Sequence, residues 1–130
     1  MATPRICLDT SILIDFSRKA NKQNTVIFQL SHQYRFSIPV ISAFEVQVGI
    51  KSAQQMHEYD QLMKEIEILP LDLSCIEQAV KTYHELKSKN AQIGLADLLI
   101  GTTALRYQLA LATLNEKHFS RIQQLQIVKI

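Results

Sequence analysis

The sequence predicts an α/β domain of three layers, with a central, mainly parallel sheet of about five short strands flanked by helices. Three observations carry that expectation. Short apolar runs alternate along the chain with longer stretches whose apolar residues recur at helical spacing. That strand–helix alternation favours parallel pairing, because each crossover returns the chain to the same direction. At 130 residues the whole chain, 1–130, fits one domain whose core needs no disulfide staples, and no repeat or linker divides it.

Taken in order, Arg5 to Leu8 reads as a buried strand, and Asp9 to Ser11 leads into a helix N-terminus. Residues 17–24 (SRKANKQN) are polar and loop-like, with a basic cluster at Arg18, Lys19 and Lys22. Val26, Ile27 and Leu30 follow at helical spacing. Phe36 to Ile41 reads as a second strand, after which Ser42 opens a helix through Glu45, Val46 and Gly49. Met56, Tyr59, Leu62, Met63 and Ile66 form one helical stripe, explained by core packing or by a dimer partner. Ile68 to Leu71 is a third strand, placed at an edge because Pro70 cannot donate to a ladder. Asp72 and Ser74 precede a long helix ending near Asn90. Gly94 breaks the chain, Leu95 to Tyr107 is helical, and Leu109 to Leu114 and Gln126 to Ile130 supply two last strands.

Composition excludes several classes. Hydrophobic residues make up 47% and charged residues 20%, an ordinary globular mixture. Cys7 and Cys75 sit in apolar context without a metal or redox spacing, which fits reduced thiols in a cytoplasmic protein. No stretch reaches the roughly 18 to 20 apolar residues of a membrane span, and Asp9 interrupts the early apolar run that a signal peptide requires. The net charge is only +2, but setting Asp9, Glu45 and Asp97 aside leaves 14 basic residues against nine acids. A modestly basic surface around an acidic pit suits a polyanion reached through cations.

In an open parallel sheet, ligands bind beyond the carboxyl ends of the strands. Asp9 follows the first strand, Glu45 lies in the first turn after the second, and Asn115 and Glu116 follow Leu109 to Leu114. Asp97 lies in the first turn of a helix that starts at the same edge. Each has a plain explanation. Asp9 caps a helix, Ser42 and Glu45 match a capping box, and Asp97 is favoured by the helix dipole by up to ~1 kcal/mol. Convergence favours a different reading, because carboxylates a few ångströms apart repel unless a cation lies between them. The donors are all oxygen, and His32, His57, His84 and His118 are scattered, which favours Mg²⁺ or Mn²⁺ over zinc. Such ions hold phosphate oxygens and activate water for in-line hydrolysis.

Leu8-Asp9-Thr10-Ser11-Ile12-Leu13-Ile14, then Ser42-Ala43-Phe44-Glu45 with Gly49, then Ala96-Asp97-Leu98-Leu99-Ile100-Gly101 resemble the three acidic motifs of PIN domains. Their order and spacing, across essentially the whole chain, look most like the VapC-type toxins of toxin–antitoxin pairs. The resemblance implies a Mg²⁺- or Mn²⁺-dependent endoribonuclease acting on tRNA, rRNA or mRNA, a homodimer, and a small inhibitory antitoxin. It makes Asp9, Glu45 and Asp97 the catalytic metal-binding residues. The family's fourth position falls in Thr113-Leu114-Asn115-Glu116-Lys117-His118-Phe119, where Asn115 and His118 stand in place of carboxylates. Asn115 offers a carbonyl oxygen to the metal, with Glu116, one position off, as the substitute. Thr10, Ser11 and Thr113 are supporting hydroxyls or local turn formers.

Asp15 is expected to face away from the site and pair with Arg18 or Lys19. His118 is expected as a loop residue packed beside Phe119. Arg18, Lys19 and Lys22 either guide RNA phosphates, bind antitoxin, or form a solvated face. Two rival functions remain. An aspartyl-phosphate phosphatase needs a second acid where Ser11 stands, and a PIN-like module that binds RNA or a partner without cutting would explain the missing fourth carboxylate.

Overall fold

A computed structural model describes residues 3–130. Strand β1 (Arg5–Leu8) runs straight into helix α1 (Thr10–Arg18). A 3-10 turn (Lys22–Asn24) and helix α2 (Val26–Leu30) lead to β2 (Arg35–Pro39), α3 (Val40–Gly49) and α4 (Ala53–Met63). Then come β3 (Ile66–Leu69), α5 (Leu73–Ser88), α6 (Leu95–Arg106), β4 (Leu111–Ala112) and the short α7 (Glu116–Phe119). All pairs are parallel, in the order β3-β2-β1-β4.

Both faces of the sheet are covered, which is why β1 reads as an unbroken apolar run. Ile6 and Leu8 join a cluster with Ile12, Leu13, Ile27 and Val46, contributed by α1, α2 and α3. Cys7 points the other way, into a cluster with Leu86, Leu98, Ile100 and Phe119 from α5 to α7. β1 is therefore central. The chain leaves it towards β2 on one side and joins it to β4 on the other, so the connections diverge at the carboxyl end of β1, where Asp9 lies.

The sheet has four strands rather than about five. Gln126 to Ile130 contributes one bridge, Leu111 to Ile127, because β4 has only two residues and β1 already occupies its other edge. Ile66, assigned by spacing to a helical stripe, opens β3 instead, and Tyr59, Leu62 and Met63 of that stripe pack into the core. β3 lies at an edge as expected, with Pro70 just past its end. Helix α3 begins at Val40 and not at Ser42, so Glu45 sits in its second turn and the Ser42–Glu45 capping box does not form.

Candidate active site

Asp9 is the N-cap of α1, and its carboxylate is 3% exposed. One oxygen, Oδ1, accepts the Ser11 N–H at 3.0 Å and the Ser11 hydroxyl at 2.5 Å. The other, Oδ2, accepts the Thr113 hydroxyl at 2.7 Å. Those hydroxyls have partners of their own: Ser11 Oγ accepts from Leu114 N–H at 2.9 Å, and Thr113 Oγ1 accepts from Asn115 N–H at 2.8 Å. Asp9 thus accepts on both oxygens, an arrangement that suits a carboxylate. Capping is thus a genuine role of Asp9, but it occupies only part of one oxygen.

Burial nevertheless pushes the Asp9 carboxyl above its ordinary value, against the bonds from Ser11 and Thr113 that pull it down. Burial is the largest influence on this group, and the hydrogen bonds offset it only in part. Neutral donors do not replace a cation.

Glu45 meets the start of α1: Thr10 Oγ1 donates to its Oε1 at 2.5 Å. Thr10 is the residue after Asp9, so the contact draws the second acid to the first strand's end. Asp97 lies in the first turn of α6, and its Oδ2 is 3.2 Å from His118 Nδ1. His118 belongs to α7, which opens just after β4, so this contact places Asp97 at the carboxyl edge as well. His118 was expected only to pack beside Phe119; its meeting with Asp97 spans the fold and leaves no periodic trace. Asn115 and Glu116 are both exposed where the chain turns into α7, and the Asn115 side chain makes no capping bond. Thr113 is buried and holds Asp9 directly.

These residues fit a hard cation by their chemistry. A carboxylate has about four lone-pair positions. Three of those on Asp9 are used, which leaves Oδ2 able to take one more partner. Glu45 Oε2 and Asp97 Oδ1 make no hydrogen bond among the described residues. No three His, Cys, Asp or Glu side chains among the described residues are close enough to enclose an ion on their own. A small hard cation that keeps several waters matches such an open oxygen set better than one requiring a complete protein cage. Ser42, fully buried one turn before Glu45, has a hydroxyl with no hydrogen-bond partner among the described residues, a feature its sequence position gave no sign of.

Asp15 pairs with Lys19 at 2.8 Å, as expected, and also accepts the Val26 N–H at 2.9 Å. Lys22 donates to the carbonyls of Phe16 and Lys19 at 2.6 and 2.8 Å and lies 3.5 Å from Glu58. Two of the three basic residues in this loop are thus spent on closing it. A cleft of about 570 Å³ is lined by Tyr34, Arg35, Lys64 and Glu67 at the amino ends of β2 and β3. That is the wrong edge for a ligand of a parallel sheet.

Comparison with known proteins agrees with the motifs. The PIN domain model matches residues 6–125. The chain is 32% identical over 120 residues to Ribonuclease VapC1 of Methanocaldococcus jannaschii, covering 92% of this chain and 82% of that protein. It is 29% identical over 132 residues to Ribonuclease VapC1 of Rickettsia felis, covering 96% of each. Among solved structures, VapBC2 from Rickettsia felis, bound to a promoter DNA fragment, matches with a TM-score of 0.83 at 26% identity, over 95% of this chain and 97% of that one. VapBC-1 from nontypeable Haemophilus influenzae matches with a TM-score of 0.81 at 26% identity, over 96% and 97%. A parallel sheet with its acids at the carboxyl edge and a family match over nearly the full length lead to one assignment: the chain belongs to the PIN-domain family, in its VapC branch.

Proposed function

We propose that this chain, acting as one unit over 1–130, is the endoribonuclease toxin of a toxin–antitoxin pair, with Asp9, Glu45 and Asp97 holding Mg²⁺ or Mn²⁺. The observation that carries the reading is the buried Asp9 carboxyl group, whose hydrogen-bond partners among the described residues are all neutral. Its relatives named as ribonucleases, and its structural neighbours solved as VapBC complexes, support the RNA substrate and the small protein partner.

When bound, the cation supplies charge to phosphate oxygens and lowers the pKa of water. The chain's own residues do the rest. Ser11 and Thr113 donate to the two oxygens of Asp9 and hold the group in place. Thr10 engages one oxygen of Glu45 and His118 one oxygen of Asp97, and the other oxygen of each makes no hydrogen bond among the described residues. Asn115 and Glu116 stand exposed beside them, with Asn115 the candidate fourth ligand and Glu116 its substitute. With water as the nucleophile and the 3′-oxygen as the leaving group, the products carry a 5′-phosphate and a 3′-OH, and the ribose 2′-OH is not consumed.

Two further points belong to the proposal. A homodimer would use other residues than the α4 stripe, since Phe44 and Val48 on α3 are 67% and 68% exposed. No helix among the described residues is long and apolar enough to cross a membrane, consistent with work on RNA.

The test is purified, partner-free protein incubated with total tRNA and Mn²⁺, with and without excess EDTA. Cleavage that EDTA abolishes is expected. RNA binding without cleavage favours the non-cutting module, and cleavage unaffected by EDTA removes the metal mechanism.

A further inference from the structure

Of the three cations at the end of α1, the fold leaves one free. Lys19 is held by Asp15 and the Asn24 carbonyl, and Lys22 by two carbonyls and Glu58. Arg18 has no hydrogen bond or ion pair among the described residues. It lines a cleft of about 130 Å³ between α1, α3 and α4, together with Ser17, Gly49, Gln55 and Glu45. The volume has room for roughly four waters, and so for one phosphate group.

The polar groups of this cleft are matched to an acceptor. Gln55 Oε1 already accepts the Lys51 N–H at 2.9 Å, which leaves the Gln55 amide NH₂ as a donor. Arg18 contributes only donors, in a planar fork suited to two oxygens of a phosphate. Gly49 keeps the wall bare, with nothing within 4 Å of where a Cβ would stand. The one acid on the lining is Glu45, which the proposed function assigns to the cation.

We propose that Arg18, assisted by Gln55, binds a backbone phosphate of the RNA next to the one that is cut, making this cleft a substrate subsite. The proposal rests on the metal-dependent ribonuclease reading. One phosphate is met by the cation at the carboxylates, its neighbour by the guanidinium, and the RNA is held along the α1–α3 face without any base being read.

The experiment measures binding of a labelled single-stranded RNA to Asp9→Asn protein, which cannot cut it, across a series of salt concentrations. Adding Arg18→Gln should weaken binding about fivefold and reduce the slope of log affinity on log salt by about 0.7, the loss of one single-strand phosphate contact. Arg18→Lys should restore the slope. In cleavage assays Arg18→Gln should raise KM and leave kcat within about twofold, as expected for uniform binding. An unchanged slope and KM in Arg18→Gln overturns the subsite, as does an equal loss in Lys19→Gln, which would mean diffuse surface charge. Wild-type protein that never cuts RNA with Mn²⁺ sinks the ribonuclease reading and this inference together. Wild-type cleavage with an Arg18→Gln protein that binds RNA normally sinks this inference alone and leaves the cleft to a protein partner.

Discussion

Asp9 and Asp15 stand near the two ends of one helix, and the molecule treats the same side chain in opposite ways. Both accept a backbone N–H at a helix start, Asp9 as the N-cap of its own helix and Asp15 from Val26 at the start of α2. At Asp15, burial raises the carboxyl, but the Lys19 ammonium and the Val26 N–H outweigh it, and the group ends below its usual value. At Asp9, burial wins over Ser11 and Thr113, and the group ends above. Asp15 has its cation in the chain; Asp9 has none among the described residues. The first is a finished structural joint, and the second is the group that the proposed function assigns to a cation.

That contrast is open to attack in order of effect. Asp9→Asn should cut RNA cleavage by at least about a hundredfold, while urea unfolding shows stability unchanged or improved, since a buried charge without a counter-ion is removed. Stability lost together with activity would make Asp9 a second Asp15. Gly101→Ala is the next largest. A Cβ there would meet Ile122 Cδ1 at 2.5 Å and Phe119 at 3.3 Å, loosening the segment that brings His118 to Asp97. About 1–3 kcal/mol of stability should be lost in urea unfolding.

Asp15→Ala should do the reverse of Asp9→Asn, with cleavage within about twofold of wild type and about 1–2 kcal/mol lost with the acceptor for the Val26 N–H and the Lys19 pair. The two differ in pH dependence as well. The Asp15 contribution is complete above the ordinary carboxyl value of about 3.9 and is lost as pH falls through its lowered folded value. The cost of holding Asp9 ionised is present at neutral pH and is relieved as pH falls through its raised value. Unfolding titrations of the two variants against wild type should therefore diverge at neutral pH, with the Asp9 difference closing first on acidification. Ser42→Ala should have the smallest effect, within about 0.5 kcal/mol, because the hydroxyl it removes has no partner to lose among the described residues.

Much of this contrast was legible in the sequence, for identifiable reasons. A strand ending in Asp with helix formers behind it specifies both the position of Asp9 and its cap, and Asp97 follows from Gly94 ending one segment and opening the next. The pairing of Asp15 with Lys19 is one helical turn and needs no fold. Glu45 was assigned to the right edge but the wrong turn. Pro39, at φ −64° and ψ 147°, is still extended as the last residue of β2, and the helix starts directly after it at Val40 without a side-chain cap. Ile66 matched a helical stripe by spacing alone, and the sheet claimed it. The contacts Thr10–Glu45, Thr113–Asp9 and His118–Asp97 join separate segments. Such pairs have no period, and only the folded chain displays them. The same holds for the loop lysines, whose carbonyl partners leave Arg18 as the one free cation of the three among the described residues.

The central claim is that Asp9 is kept ionised for a divalent cation. Calorimetric titration of Mn²⁺ into wild-type protein and into Asp9→Asn, both free of RNA and partner, tests it most directly. Saturable binding by wild type, lost in Asp9→Asn while its unfolding transition stays intact, is the predicted result. Equal Mn²⁺ binding by the two proteins, or none by either, would contradict it.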